Sequence, residues 1–213
     1  FKKLQILCNK CFGVFPENKR NYKRKLFSTN GSFTETKKMR LYQAHCIIGN
    51  SAYSYKDEKR LAFLLLTNLL AGAGMNSRLN LLLREKHGIT YNIEASYIPY
   101  LETGNFSLYF GTDISNLEKS IELIHKDLLK LCNQELGSLQ LSKAKKQIIG
   151  QMAISAENHA NLLLSVGKSF LIFDDIEDVN KIYAKINQIT AKDIMEVANE
   201  ICYPDKLSTL VFK

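Results

Sequence analysis

The sequence predicts an α+β fold in which a mostly antiparallel sheet is covered by several helices. Short segments with alternating apolar and polar side chains, the pattern of half-buried strands, lie near both ends of residues 41–213. Longer segments with apolar side chains at helical spacing fill the region between them. With 213 residues and 46% hydrophobic side chains, the chain is large enough to bury a core.

The N-terminal part of the chain is predicted to form a helix at residues 2–12, a strand at 41–49 and a buried helix at 57–71. The longest apolar run lies inside the third of these elements and is interrupted by Thr67 and Asn68. Because a helix needs about 20 apolar residues to cross a bilayer, this run predicts a buried helix and no membrane span.

A helix that leads directly into a strand is predicted next. Gly72 and Gly74 precede a helix with a leucine-rich face, and Gly88 suits the left-handed turn that ends it. Arg84 then lies in the last helical turn, and Tyr91 lies near the start of the strand. Both side chains can therefore point toward one spot beside the turn.

The strand at residues 89–98 is followed by a turn and by a second strand at 104–111, which predicts a hairpin. The remaining elements are predicted as helices at residues 115–136, 139–157, 159–173, 179–186 and 190–201, and a final strand at 207–212. Ser115 with Glu118, and Thr190 with Asp193, have the spacing of capping boxes at helix starts. Gly137 is predicted to end the first of these helices.

Two explanations remain open for Arg84 and Tyr91. Arg84 can be a cation that stabilises a helix C-terminus, worth a few tenths to about 1 kcal/mol. Tyr91 has the same strand parity as Ile93 and can be a core residue. Alternatively, the guanidinium and the phenol form one polar site. Two preorganised donors of this kind are what a peptide carbonyl needs as it becomes an oxyanion.

The sequence around these residues resembles a known family. The run Leu83-Arg84-Glu85-Lys86, followed by Gly88 and Tyr91, matches the L-R-E-K-x-G-x-x-Y pattern in the C-terminal half of the pitrilysin/insulinase-type zinc metallopeptidases, which include the mitochondrial processing peptidases. The resemblance extends over about residues 41–212. It implies a fold like one half of a processing peptidase. It also implies that Arg84 and Tyr91 reach into a zinc site built by the N-terminal half and bind the scissile carbonyl.

The chain departs from that family at the metal site. The family holds zinc with an H-x-x-E-H motif and a more distant glutamate, and this sequence contains no such motif. Its histidines, at positions 45, 87, 125 and 159, are too far apart to act as a local ligand pair. The resemblance therefore implies zinc in the parent protein, bound by the other half, with no cofactor or metal in this chain.

The domain organisation is predicted from the same resemblance. Residues 1–15 are expected to be a helix that closes the preceding half, 16–40 a basic linker, and 41–213 the C-terminal peptidase-like domain. The chain begins with Phe1 and shows no signal peptide, which agrees with a piece of a longer protein.

The formal net charge of +8 raises nucleic acid as a partner. The charge is local, however, because residues 1–40 contain eleven Lys and Arg and two Glu, whereas the rest of the chain contains 18 basic and 19 acidic side chains. No aromatic stacking platform accompanies the basic segment, so a solvated linker is favoured over a nucleic-acid-binding arm.

The five cysteines form no recognisable disulfide framework and favour a reducing, cytoplasmic location, with a periplasmic parent as the alternative. Cys8 and Cys11 have the C-x-x-C spacing of a metal or redox site. They also lie on the apolar face of the predicted first helix, so they are expected to pack as small apolar groups.

Two functions are therefore predicted. In the first, the chain is the zinc-free half of a zinc metalloendopeptidase, inactive alone, which closes over a peptide substrate and supplies Arg84 and Tyr91. In the second, it is a non-catalytic partner or scaffold subunit of a two-chain peptidase. The expected partners are a zinc-bearing half or subunit and a peptide.

Overall fold

A computed structural model describes residues 1–16, 21, 27–28 and 31–213. Five strands form one sheet in the order β1-β5-β2-β4-β3. Their bounds are β1 Thr34–Lys37, β2 Ala44–Ala52, β3 Thr90–Pro99, β4 Gly104–Thr112 and β5 Ser208–Phe212. Only the β1–β5 pair is parallel, so the predicted α+β class with a mostly antiparallel sheet is confirmed.

Seven α-helices and one π-helix are present in the described residues. The α-helices are α1 Lys2–Phe12, α2 Arg60–Ala71, α3 Leu117–Asn133, α4 Ser138–Glu157, α5 His159–Phe173, α6 Val179–Gln188 and α7 Ala191–Ile201. The π-helix spans Asn80–Lys86 and carries Arg84. No helix in the described part of the chain is both long enough and apolar enough to cross a membrane.

The core lies between one face of the sheet and the helices α2, α3 and α7. Phe63 of α2 is fully buried, and its ring packs edge-on against Tyr53, Tyr97 and Phe106 at centroid distances of 5.7, 5.0 and 5.4 Å. The alternation that the sequence shows in β2 and β4 thus places one set of side chains in the core. Among the described residues, most side chains on the other face of β2, β4 and β5 are exposed or half-buried.

Several predicted details are confirmed. β3 and β4 form the predicted hairpin, and Gly88 adopts a left-handed conformation with φ of 61°. The second capping box also forms, because the Asp193 N–H donates to Thr190 Oγ1 at 3.1 Å and the Thr190 N–H donates to Asp193 Oδ2 at 2.7 Å.

The first capping box does not form. The chain makes a 3-10 turn at Ile114–Asn116, in which the Asn116 N–H donates to the Asp113 carbonyl at 2.9 Å. Ser115 lies inside this turn and not at the helix start, and α3 begins at Leu117 without a side-chain cap. Gly137 does not end α3 as predicted. Helix α3 ends at Asn133, and Gly137 instead occupies the position directly before α4.

Thr34–Lys37, within the range predicted as a linker, form β1. All four residues are exposed, so no apolar alternation marks the strand. Backbone hydrogen bonds hold it instead, from the Thr209 N–H to the Phe33 carbonyl at 2.8 Å and from the Lys213 N–H to the Lys37 carbonyl at 3.1 Å. The linker prediction therefore fails for these four residues. Residues 17–20, 22–26 and 29–30 of the predicted linker lie outside the described residues.

Helix α1 has the predicted bounds, but none of its residues is buried. Cys8 and Cys11 are exposed free thiols, so the prediction that they pack as apolar groups is wrong for this structure. The reason is that their apolar face, correctly placed on one side of the helix, meets no covering surface among the described residues.

The π-helix is held to the rest of the domain at its start and along its inner face. Arg78 donates two hydrogen bonds to Asp127 of α3, from Nε to Oδ2 at 2.9 Å and from Nη2 to Oδ1 at 2.8 Å. Leu79 and Leu83 are both fully buried. The position of Arg84 is therefore determined by a bidentate ion pair and by two leucines.

We expect Asp127→Ala to lower the free energy of unfolding by about 3 kcal/mol, because Arg78 would remain partly buried without its partner. The double variant Arg78→Met/Asp127→Leu should be less destabilised, since it removes both charges. Urea unfolding of the purified protein measures both changes. Arg84→Ala in the same helix is the control and should cost less than about 0.5 kcal/mol. Equal losses for Asp127→Ala and Arg84→Ala would contradict this prediction.

Gly88→Ala should destabilise the protein by about 1 kcal/mol, because an L side chain is strained in the left-handed region. An added Cβ would meet no atom within 4 Å, so the cost is conformational and not steric. Gly88→Asn should cost less, since asparagine tolerates this conformation. Gly150→Ala in α4 is the matched control, because the space there is also open and φ is not positive. A stabilising Gly88→Ala would show that the turn is not left-handed in solution.

Candidate functional site

The turn between the π-helix and β3 is closed by two backbone hydrogen bonds. The Gly88 N–H donates to the Arg84 carbonyl at 3.1 Å, and the Ile89 N–H donates to the Leu83 carbonyl at 3.0 Å. Left-handed glycine at this position is a common way to end a helix and satisfy its last carbonyls. The wider winding of a π-helix is often found at functional sites. Arg84 is exposed and lies one turn before the strand.

A β-bulge determines the direction of Tyr91. In the β3–β4 ladder, Thr90 pairs with Thr112 and Asn92 pairs with Gly111, so Tyr91 is the extra residue. Simple alternation would place Tyr91 on the same face as Ile93, which is 3% exposed, but Tyr91 is 60% exposed. The alternative that Tyr91 is a core residue is therefore excluded.

Each of the two predicted residues is accessible, but they do not bond to each other. Tyr91 Oη donates to Asp113 Oδ1 at 3.3 Å. The Arg84 side chain makes no hydrogen bond or ion pair within the described part of the chain. Among the described residues, the structure thus presents an exposed cation without a partner and an exposed phenol with one weak partner, on two segments joined by a short turn.

Asp113 is a residue of this site that the sequence analysis did not identify. It directly follows Thr112, whose hydroxyl donates a short hydrogen bond to the Ile89 carbonyl. Its only sequence signal is a polar residue just after an alternating strand, which is a common feature of strand ends. The contact between Asp113 and Tyr91 depends on the bulge, so the sequence alone could not predict it.

A second polar pair lies on the open face of the sheet near this end. His45 Nδ1 and Tyr109 Oη are 2.8 Å apart, and their rings are nearly parallel at 14°. His45 pairs with Gly111 across the ladder, and Gly111 pairs with Asn92, the residue after Tyr91. His45 therefore has a structural partner and lies two strands away from Tyr91.

Two of the shifted pKa values belong to the contact between the start of α2 and α7. Burial, together with the hydrogen bond to Glu200, raises the pKa of Tyr53. Hydrogen bonds from Lys59 and Tyr53 lower the pKa of Glu200. These groups join the start of α2 to α7, so their shifts reflect structural contacts between helices.

Two cavities also lie away from Arg84 and Tyr91. One, of about 840 Å³, is lined by residues between Tyr55 and Ala62 and by residues of α6 and α7. The other, of about 920 Å³, opens over the sheet next to Ile47 and Leu210. Arg84 and Tyr91 line neither of these two cavities, and both residues are exposed.

The donor groups in the described part of the chain do not form a zinc site. Zinc in proteins takes three or four ligands from Cys, His, Asp and Glu side chains. Within the described ranges, no three such side chains lie close enough to hold a metal ion. Arg84 and Tyr91 can instead bind a carbonyl or an anion, because Arg84 has a permanent positive charge and Tyr91 has a hydroxyl donor.

Comparison with known proteins identifies the family of this chain. A family model described as "Peptidase M16 inactive domain" matches residues 2–148. An uncharacterized zinc protease of Streptomyces coelicolor is 28% identical over 159 residues, which are 75% of this chain and 34% of that protein. The mitochondrial-processing peptidase subunit alpha of Caenorhabditis elegans is 24% identical over 168 residues, 74% of this chain and 32% of that protein.

The fold also has a close counterpart among solved structures. The crystal structure of a peptidase M16 inactive domain from Pseudomonas fluorescens superposes with a TM-score of 0.87 at 16% identity. The match covers 99% of this chain and 50% of that chain. This chain spans about a third of the length of the two curated relatives named above. Because the family model covers more than half of the sequence, the chain belongs to the family of peptidase M16 inactive domains.

Proposed function

We propose that this chain is the zinc-free half of a zinc metalloendopeptidase, which closes over a peptide and presents Arg84 and Tyr91 to the scissile carbonyl. Family membership and the zinc protease named among the relatives support a proteolytic parent. The observation that carries the proposal is the bulge at Tyr91. It turns the phenol out of the core, beside a helix end that carries the exposed Arg84.

The two side chains have complementary chemistry for this role. As a nucleophile adds to a peptide carbonyl, the oxygen gains negative charge, and preorganised donors aimed at that oxygen stabilise the transition state. Arg84 offers a permanent positive charge with several N–H donors. Tyr91 offers a neutral O–H that can donate to the same oxygen without adding a second charge.

The local structure supports preorganisation of both donors. Arg84 is on a helix held by the Arg78–Asp127 ion pair, and Tyr91 is on a strand held by β4. Both donors are therefore attached to backbone that is held by contacts within the domain. Donors on rigid elements lose less free energy to reorganisation than donors on mobile loops.

Under this proposal, the metal-dependent steps belong to a zinc-bearing half, in line with the zinc protease named among the relatives. The zinc-bearing half, or a partner subunit that carries the zinc, must meet the surface with Arg84 and Tyr91. We also propose that the exposed apolar face of α1 packs against the zinc-bearing half, as expected for a closing helix. Leu4, Leu7 and Phe12 on that face are all more than half exposed in this chain.

In the full-length protein, Arg84→Ala and Tyr91→Phe should each lower kcat at least about tenfold, because each removes one donor to the oxyanion. Zinc content should stay unchanged, since neither residue is proposed as a metal ligand. Steady-state kinetics on a peptide substrate and metal analysis of the same samples measure both quantities.

The matched controls are Lys86→Ala and Tyr100→Phe. Lys86 is an exposed cation in the same helix, and Tyr100 is an exposed tyrosine just after the same strand. Both variants should keep kcat within about twofold of the parent, because neither group faces the proposed carbonyl site. Near-normal kcat in Arg84→Ala and Tyr91→Phe would refute the proposed role.

A non-catalytic partner subunit is the second candidate function. The observation that favours it is the relative named as subunit alpha of the mitochondrial-processing peptidase. Metal analysis of the full-length protein distinguishes the candidates. A zinc-containing protein that cleaves peptides alone supports the first, whereas a zinc-free protein that needs a second chain for cleavage supports the second.

A further inference from the structure

The phenol proposed to bind the substrate is already bound to a carboxylate. Tyr91 Oη donates to Asp113 Oδ1 at 3.3 Å, and both side chains are exposed. We propose that Asp113 holds Tyr91 in a resting position, from which the substrate carbonyl must displace it. This inference rests on the proposed function and describes how access to the same site is regulated.

The position of Asp113 relative to Tyr91 follows from the fold. Asp113 directly follows Thr112, which pairs with Thr90 and whose hydroxyl donates to the Ile89 carbonyl. The Asp113 carbonyl also accepts the Asn116 N–H at 2.9 Å, which fixes the chain on the other side. The carboxylate and the bulge residue are therefore brought together by buried and backbone contacts, and not by a flexible loop.

The contact is suited to displacement. Its length lies beyond the usual range for a hydrogen bond between a hydroxyl and a carboxylate, and it is open to water. Asp113 has no second hydrogen bond through its side chain within the described residues. A substrate carbonyl thus has one weak, exposed hydrogen bond to replace.

The two hydrogen-bonded states of the phenol are exclusive. A phenol has one proton to donate, so it cannot serve the carboxylate and the substrate oxygen at once. Asp113 therefore competes with the substrate, and it does not assist Tyr91 in the reaction.

The first test uses Asp113→Asn and Asp113→Ala in the full-length protein. Both should raise kcat/KM by about threefold to tenfold, the range that the net value of one hydrogen bond allows, and mainly through a lower KM. Asp113→Ala should have the larger effect, because the asparagine carbonyl can still accept the phenol proton. Asp113 caps no helix with its side chain, so both variants should fold.

The second test is a double-mutant cycle with Tyr91→Phe. If Asp113 acts through the phenol, the Asp113 substitutions should have no effect when that hydroxyl is absent. Glu94→Gln is the control for a general loss of negative charge, because Glu94 is an exposed carboxylate on the same strand. The ¹³Cζ NMR signal of Tyr91 gives a readout that does not depend on catalysis, and Asp113→Asn should shift it.

The outcomes separate the two proposals. A large loss of kcat in Tyr91→Phe with no gain in the Asp113 variants keeps the proposed function and rejects the resting contact. A loss of kcat/KM in Asp113→Ala that Asp113→Asn restores would make Asp113 a positioning residue and also reject it. Normal kcat in Tyr91→Phe rejects the proposed function and, with it, the role of Asp113. The same gain in Glu94→Gln would show a general charge effect and overturn the inference.

Discussion

The geometry of the candidate site depends on the backbone of Ile89. Its N–H donates to the Leu83 carbonyl at 3.0 Å, and its carbonyl accepts the hydroxyl proton of Thr112, a fully buried residue of β4. Buried backbone groups must be paired, so neither bond can be lost without a cost. Through these two bonds, one residue connects the helix that carries Arg84 to the hairpin that carries Tyr91 and Asp113.

The sequence was sufficient for the parts of this site that depend on local pattern. Gly88 indicated a left-handed turn, the alternation after it indicated a strand, and Arg84 was correctly placed in the last helical turn. The direction of the Tyr91 side chain could not be predicted from such local patterns. A bulge is defined by two residues opposite one residue of another strand, and the alternation of a single strand cannot show it. The contribution of Asp113 could not be predicted for the same reason, because its hydrogen bond with Tyr91 joins the end of β4 to β3.

Elements held by backbone bonds alone were also missed. All residues of β1 are exposed, and the strand is marked by its bonds to β5 and not by any apolar side chain. The capping box predicted at Ser115 is the opposite case. The residue spacing was correct, but a 3-10 turn formed where the helix was predicted to begin. Strand pairing and turn type are decided by partners distant in sequence, so patterns within a short segment predict them poorly.

Residues that build the site and residues that build the fold are largely separate in this domain. Leu79, Leu83 and Thr112 are buried and determine position, whereas Arg84, Tyr91 and Asp113 are exposed and make few contacts. Exposed side chains with few partners contribute little to stability, so they can change with little effect on folding. The same property leaves Arg84 without an ion pair among the residues that the structure describes, and an unpaired charge is available to a ligand. Under the proposed function, the buried residues would hold the two donors in place while the donors themselves remain accessible to a peptide.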